Sequence, residues 1–226
     1  MSCNLFLCLK VLMPQPCPLC LSADNKPYFC DSKRSYRQCS RCQLVFVPAE
    51  FYLTAAKEKA EYDLHENSAD DLGYRRFLSR AAKPVLNRVG ANAIGLDFGS
   101  GPEPVLQSML QEAGLKVSVY DIFYAPDESV FNTNYDFITA TEVVEHLHEP
   151  AKVLERLWQC LAANGVLVIM TKRVIDVDAF SRWHYKNDPT HVCFFSAATF
   201  SWLAAKWQAE LEYVDKDVVV FQKNLD

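Results

Sequence analysis

The sequence predicts an α/β chain in which a mostly parallel sheet carries helices on both faces, preceded by a small cysteine-held module. Three observations predict it. After residue 90, short apolar runs alternate with stretches of helical period, the pattern of strand–helix–strand units. The first of those runs ends in a glycine-rich turn, Gly99-Ser100-Gly101-Pro102, the device that lets backbone approach a ligand at a helix start. Ahead of them, a segment rich in Cys, Pro and polar residues has no helical period and carries two CxxC pairs. At 226 residues, half of them apolar, the chain suffices for one full-sized core with an appendage.

Each element follows in order. Residues 1–16 are an extension with no assigned function. The apolar stretch 5–13 is too short to span a membrane and has neither a basic start nor a small-residue cleavage site. Residues 17–48 form the cysteine module, with strands expected at 26–30 and 44–47. Residues 49–90 are a linker and leading helix: 55–67 is charged, and 70–89 places Leu72, Phe77, Leu78, Ala81, Ala82, Val85 and Leu86 at amphipathic spacing. In the main domain, 91–226, strands are expected at 93–98, 115–120, 135–140 and 165–170 and helices at 105–113 and 151–162. Asn164-Gly165 closes the second helix, Ser196 caps a helix over 196–208, and 211–214 with 218–222 makes a final strand pair. Such an alternation is Rossmann-like.

The formal net charge of -5 argues against a nucleic-acid footprint over the whole surface. Nine cysteines, four of them in CxxC pairs, fit metal ligation in a reducing compartment rather than a disulfide framework, which implies the cytoplasm. Cys17-Pro-Leu-Cys20, eighteen residues, then Cys39-Ser-Arg-Cys42 gives two knuckles whose four thiolates suit one tetrahedral zinc. A four-cysteine zinc has no open position, so its role is structural, and the ribbon is expected to fold as its own module. Cys3, Cys8, Cys30, Cys160 and Cys193 are left as core or surface thiols. Within the ribbon Lys26, Lys33, Arg34, Arg37 and Arg41 outweigh Asp24 and Asp31, a local charge of +3 that raises the possibility of polymer recognition.

The glycine turn does not complete the dinucleotide fingerprint, because Pro104 stands where the last glycine belongs. What remains is Asp97-x-Gly99-x-Gly101, with a second acid, Asp121, at the end of the next strand, where a carboxylate can accept both ribose hydroxyls of a nucleoside. These residues, with Thr141-Glu142-Val-Val-Glu145-His146 and Asn164-Gly165-Val-Leu-Val-Ile-Met, resemble the binding motifs of class I S-adenosylmethionine-dependent methyltransferases over residues 70–224. With the leading ribbon and Asp188-Pro-Thr-His191-Val-Cys-Phe-Phe, the chain resembles a bacterial branch of that family. The resemblance implies that Asp97, Gly99 and Gly101 line the methionine end of the cofactor, that Asp121 holds its ribose, and that Glu142 lies at the methyl-transfer mouth. Two departures stand out: Glu103 replaces a frequent third glycine, which puts a carboxylate near the cofactor, and only thirteen residues separate Asp121 from Tyr135, which removes the usual adenine contact.

On a helical turn Glu142, Glu145 and His146 share one face and converge on a substrate proton or a divalent metal. A similar Glu-x-x-Glu-His occurs in ubiquinone-pathway O-methyltransferases, which suggests catechol-type chemistry. His191, His146 and Glu145 are the candidate bases. His148 is read as a surface or capping residue, Trp183 and Phe194 as core, and Phe200, Trp202 and Trp207 as the buried face of a helix. The expected acceptor is a small molecule. The alternatives are an RNA or protein substrate recognised through the ribbon, or a catalytically inactive zinc-ribbon binding protein.

Overall fold

The structure, a computed structural model, describes residues 15–64 and 68–225. The stretch 5–13, with Cys3 and Cys8, lies outside the described residues. The ribbon is built on two like turns. Leu21 N–H donates to Cys17 O and Gln43 N–H to Cys39 O, and Leu21 and Gln43 both turn left-handed, with φ of 60°. Strand β1 (Asn25–Cys30) pairs antiparallel with β2 (Ser35–Cys39), which pairs with β3 (Val45–Phe46). The polar sequence Ser-Tyr-Arg-Gln-Cys hid β2 from the periodicity reading.

Beyond the ribbon come helices α1 (Ala55–Tyr62) and α2 (Leu72–Leu86). Asp71 caps α2 by accepting from the N–H groups of Gly73 and Tyr74. The main domain then runs β4 (Ile94–Phe98), α3 (Val105–Glu112), β5 (Lys116–Tyr120), β6 (Tyr135–Thr141), α4 (Pro150–Gln159), β7 (Leu161–Met170), α5 (Val177–Ser181), β8 (Cys193–Phe194), α6 (Ala197–Trp207), β9 (Glu210–Tyr213) and β10 (Val218–Gln222). Of the ten strands among the described residues, eight lie where the chain alternation or the ribbon composition leads; β2 and β8, both in the ribbon sheet, do not. The main sheet has the order β5-β4-β6-β7-β10-β9, parallel through β7 and antiparallel at its last two strands.

Helices cover both faces, and β7 displays the reason. Val166, Val168 and Met170 point to the core beneath α2 and α3, whereas Leu167 and Ile169 point to the core that holds α4, α6 and the ribbon. Helix α4 ends earlier than expected, at Gln159, and Asn164-Gly165 lies inside β7. Asn164 turns left-handed there, φ 61°, and a Cβ on Gly165 would lie 2.9 Å from Ala162 O and 3.0 Å from Tyr135 O. The pair makes a bulge against β6 rather than a helix stop.

The ribbon is not a free-standing module. Its sheet has the order β1-β2-β3-β8, so its last strand comes from the far end of the chain, and Val47 N–H donates to Val192 O. Tyr36 of β2 and Phe194 of β8 both meet Phe180 of α5 edge-on, with ring centroids 5.0 and 5.3 Å away. Among the described residues, no helix is long and apolar enough to cross a membrane.

Candidate active site and cysteine centre

A cavity of about 930 Å³ opens at the carboxyl ends of β4, β5, β6 and β7. Ligands of α/β sheets bind along this edge because helix starts and strand ends converge there. Its floor is the turn after β4. Gly99 and Gly101 adopt φ of 75° and 68°, and a Cβ on Gly99 would lie 2.3 Å from Val143 Cγ2. Glycine is therefore required at 99 by both conformation and space. Asp121 holds this turn: its Oδ2 accepts from Gly101 N–H at 3.0 Å and its Oδ1 from the N–H groups of Phe123 and Tyr124.

Asp97 is placed differently from its expected role. It does not line the cavity but lies buried below it, accepting from Thr139 Oγ1 at 2.8 Å. Burial raises its carboxyl to about 6, opposed by Thr139 and the Gln107 backbone. Because Asp97 alternates inward on β4, its side chain braces the strand end rather than the ligand space. Glu103 likewise stands outside the lining, exposed on the turn, so no extra carboxylate enters the cavity.

The segment after β6 also departs from a helical face. Glu142 turns left-handed, φ 52°, and Val144–His146 is a single 3-10 turn, so Glu142, Glu145 and His146 do not share a regular helix side. A non-glycine residue held in that conformation beside a cavity is stored strain of the kind functional sites keep. Glu142 and His146 line the cavity; Glu145 is buried behind them. Tyr185 Oη donates to Glu145 Oε1 and lies 3.3 Å from Glu142 Oε2. Burial, reinforced by Glu142's charge, pushes Glu145 up to about 8. Burial thus holds Glu145 toward its protonated form, and the carboxyl stands behind the cavity wall instead of lining it. Burial likewise raises Glu142, with Lys172 opposing.

His191 reaches the cavity from the segment before β8. Its Nδ1 meets Tyr185 O at 2.7 Å, and a carbonyl only accepts, so Nδ1 carries the hydrogen and Nε2 offers the lone pair. Burial lowers the ring to about 4, with Asp188 and the Tyr185 carbonyl opposing, so it is neutral near pH 7. His146 stands edge-on to it, centroids 4.6 Å apart. The ligand atoms of Glu145, His146 and His191 lie within 4.8 Å of one another, a set capable of holding a cation.

The ribbon cysteines converge as the spacing implies. The sulfurs of Cys17, Cys20, Cys39 and Cys42 all lie within 4.8 Å, with Cys17–Cys42 at 3.5 Å and Cys20–Cys39 at 3.3 Å. Tetrahedral zinc with bonds of about 2.3 Å needs sulfurs about 3.8 Å apart, so the cluster fits that ion with small adjustment.

A family model described as a methyltransferase domain matches residues 73–215. The chain belongs to the S-adenosylmethionine-dependent methyltransferases. This methyltransferase is similar to the ubiquinone biosynthesis O-methyltransferase of Azorhizobium caulinodans, 33% identical over 86 residues that cover 38% of this chain and 34% of that protein. It is also similar to the protein of the same name from Colwellia psychrerythraea, 28% identical over 87 residues, 38% of this chain and 35% of that one. The matched stretch spans about a third of the length of these curated relatives. Among solved structures, an O-methyltransferase family protein from Burkholderia thailandensis is similar over 74% of this chain and 63% of its own, at 10% identity and a TM-score of 0.48.

Several cavity residues of the methyltransferase escaped the sequence reading. Helix α1 roofs the site: Tyr62 meets His146 edge-on at 5.3 Å, and Glu58 Oε1 lies 2.9 Å from His148 Nε2, with His148 stacked on Tyr52. His148 is therefore a wall of the cavity, not a surface cap. The i, i+4 spacing of Glu58 and Tyr62 on a charged helix was the available signal. The shortened stretch between β5 and β6 supplies Phe131, which packs on Tyr120 at 4.8 Å and lies under the Arg156 guanidinium. No periodicity marked it.

Proposed function

We propose that this chain transfers a methyl group from S-adenosylmethionine to a hydroxyl of a small molecule, and that its four ribbon cysteines hold a structural zinc. The observation that carries the reading is one continuous cavity, with Gly99, Gly101 and Asp121 at one end and His146 and His191 at the other. About 930 Å³ is room for a cofactor-sized ligand together with a small acceptor. When bound, the cofactor supplies an electrophilic methyl on a sulfonium. Gly99 and Gly101 leave its methionine end space, the Asp121 carboxylate accepts from the ribose, and the aromatic wall of Tyr120 and Phe131 receives the adenine in place of the usual third-strand contact.

His191 then orients the acceptor by taking its hydroxyl hydrogen bond at Nε2. As the methyl group would pass from the sulfonium to the acceptor oxygen, His191 Nε2 would take the hydroxyl proton, and the Asp188 carboxylate 3.8 Å from that nitrogen would favour the imidazolium. The relatives' printed names support oxygen as the methylated atom. The ribbon supports a small acceptor over a polymer, because Arg34 turns inward and Arg37 is tied to Asn25 instead of both facing outward. A reducing cytoplasm suits the clustered thiols.

The test is incubation with S-adenosylmethionine and catechol or 3,4-dihydroxybenzoate, read as S-adenosylhomocysteine formed. His191→Ala is expected to cut turnover about a hundredfold or more and leave cofactor affinity within about twofold. Full activity in both His191→Ala and His146→Ala would remove the histidines from the chemistry. Methylation of amines but never of hydroxyls would overturn the oxygen assignment.

A further inference from the structure

The ribbon's best-buried charge points into the protein. Arg34 is only 6% exposed, yet it does not line the cavity. Its Nη2 donates to Lys186 O and, at 2.7 Å, to Asp188 O; Nη1 donates to Pro189 O at 3.3 Å and Nε to Tyr36 Oη at 3.0 Å. A buried guanidinium is costly unless its donors are matched, and here three main-chain carbonyls of one short loop match them. The planar fork fixes where those carbonyls stand relative to one another, as a lysine's single ammonium does not.

That loop is the one between Tyr185 and His191. At its start, Tyr185 supplies the carbonyl that sets the His191 tautomer and the hydroxyl that reaches Glu145. Asp31 adds a second tether, accepting from Arg34 N–H and Tyr36 Oη and pairing with Lys186 Nζ at 3.5 Å. We infer that Arg34 is a positioning residue for methyl transfer: from the ribbon, it holds the 186–189 carbonyls so that His191 presents Nε2 to the acceptor. This rests on the reading of His191 as the acceptor-facing group. The ribbon is then a scaffold of the acceptor side, while the glycine turn and Asp121 of the cofactor side owe it nothing.

The experiment compares the full chain with Arg34→Met, which removes the donors, and Arg34→Lys, which keeps one charge. Three readouts need no acceptor: amide hydrogen exchange over 184–194, the ring-nitrogen NMR signature of the His191 Nδ1–H tautomer, and titration with S-adenosylhomocysteine. In Arg34→Met, exchange in that segment should rise at least about tenfold and the fixed tautomer should be lost, with affinity for S-adenosylhomocysteine within about twofold of wild type. Arg34→Lys should recover part of both signals. A folded Arg34→Met with wild-type exchange and an unchanged His191 tautomer overturns the inference. If Arg34→Met loses protection throughout the main sheet, Arg34→Lys decides instead: a folded Arg34→Lys with both wild-type exchange over 184–194 and an unchanged His191 tautomer overturns the inference. A wild-type chain that fails to bind S-adenosylhomocysteine would defeat the cofactor reading, and the exchange and tautomer comparison would still judge the clamp.

Discussion

Two buried titratable groups, Glu145 and His191, lie close together at the acceptor end, and their proton uptake runs in opposite senses. Glu145 is raised from 4.5 to about 8 by burial, so between those values the folded chain holds a proton that the unfolded chain has lost. Its contribution to stability is present below about pH 4.5 and is lost as pH rises through 8. His191 is lowered from 6.5 to about 4, so its contribution is present above 6.5 and is lost as pH falls through 4. Between 4.5 and 6.5 the two differences offset; from 6.5 to 8 only that of Glu145 remains. The Glu145 contribution to stability is therefore expected to fall with rising pH across that upper window, by at most about 1.4 kcal/mol per unit, and the difference between wild type and a non-ionising variant isolates it. Glu145→Gln, which cannot ionise, should flatten that fall. Urea unfolding at half-unit pH steps measures it, and a slope unchanged in Glu145→Gln would mean that the carboxyl already titrates as in water. None of this was legible in the sequence, where Glu145 looked like a base, because burial at one position depends on what β7 and the Tyr185 segment bring over it.

At the scale of elements, the strand–turn–helix around the first two main-sheet strands was readable, because apolar runs, Gly99, Gly101 and Asp121 are local signals. The structure adds that Asp121 belongs to the turn as well as to the ligand space. Asp121→Ala should weaken S-adenosylhomocysteine binding at least tenfold, since a lost hydrogen bond to a charged group costs about 1.5–3 kcal/mol, and the Gly101 N–H loses its anchor too. Calorimetric titration tests it; unaltered affinity would mean that ribose lies elsewhere. Asp121→Asn, which keeps one acceptor oxygen, should fall between the two. By contrast, the roof contributed by α1 and the wall contributed by Phe131 came from segments with weak or no period. Their role is set by which strands end nearby, and that is a property of topology rather than of local composition. The Asn164-Gly165 pair misled for the same reason, since a left-handed residue suits a helix stop and a strand bulge equally.

At the scale of the whole molecule, the cysteine spacing announced the ribbon but not its attachment, because β8 is two residues long and lies about 150 residues from its partner β3. One apolar core runs from Cys17, Leu44, Val45 and Phe46 of the ribbon through Phe180 and Phe194 to Leu96, Ile138 and Ile169 of the main sheet. A core shared in this way cannot lose one side alone, since releasing the ribbon exposes the surface that the rest had covered. Replacing Cys39 by Ser removes one of four sulfurs from the centre of the cluster. The loss is expected to lower the stability of the entire chain by at least about 3 kcal/mol, which for this size is a fall in Tm of roughly 6–12 °C. Calorimetry separates the alternatives. A single transition at lower temperature follows if the ribbon and the sheet unfold together. Two transitions, the upper one unmoved, would mean that the ribbon melts independently despite its shared strand. Metal analysis of the wild-type chain belongs beside it: one zinc per chain is expected, and removing it by chelation should shift the same single transition in the same direction as Cys39→Ser.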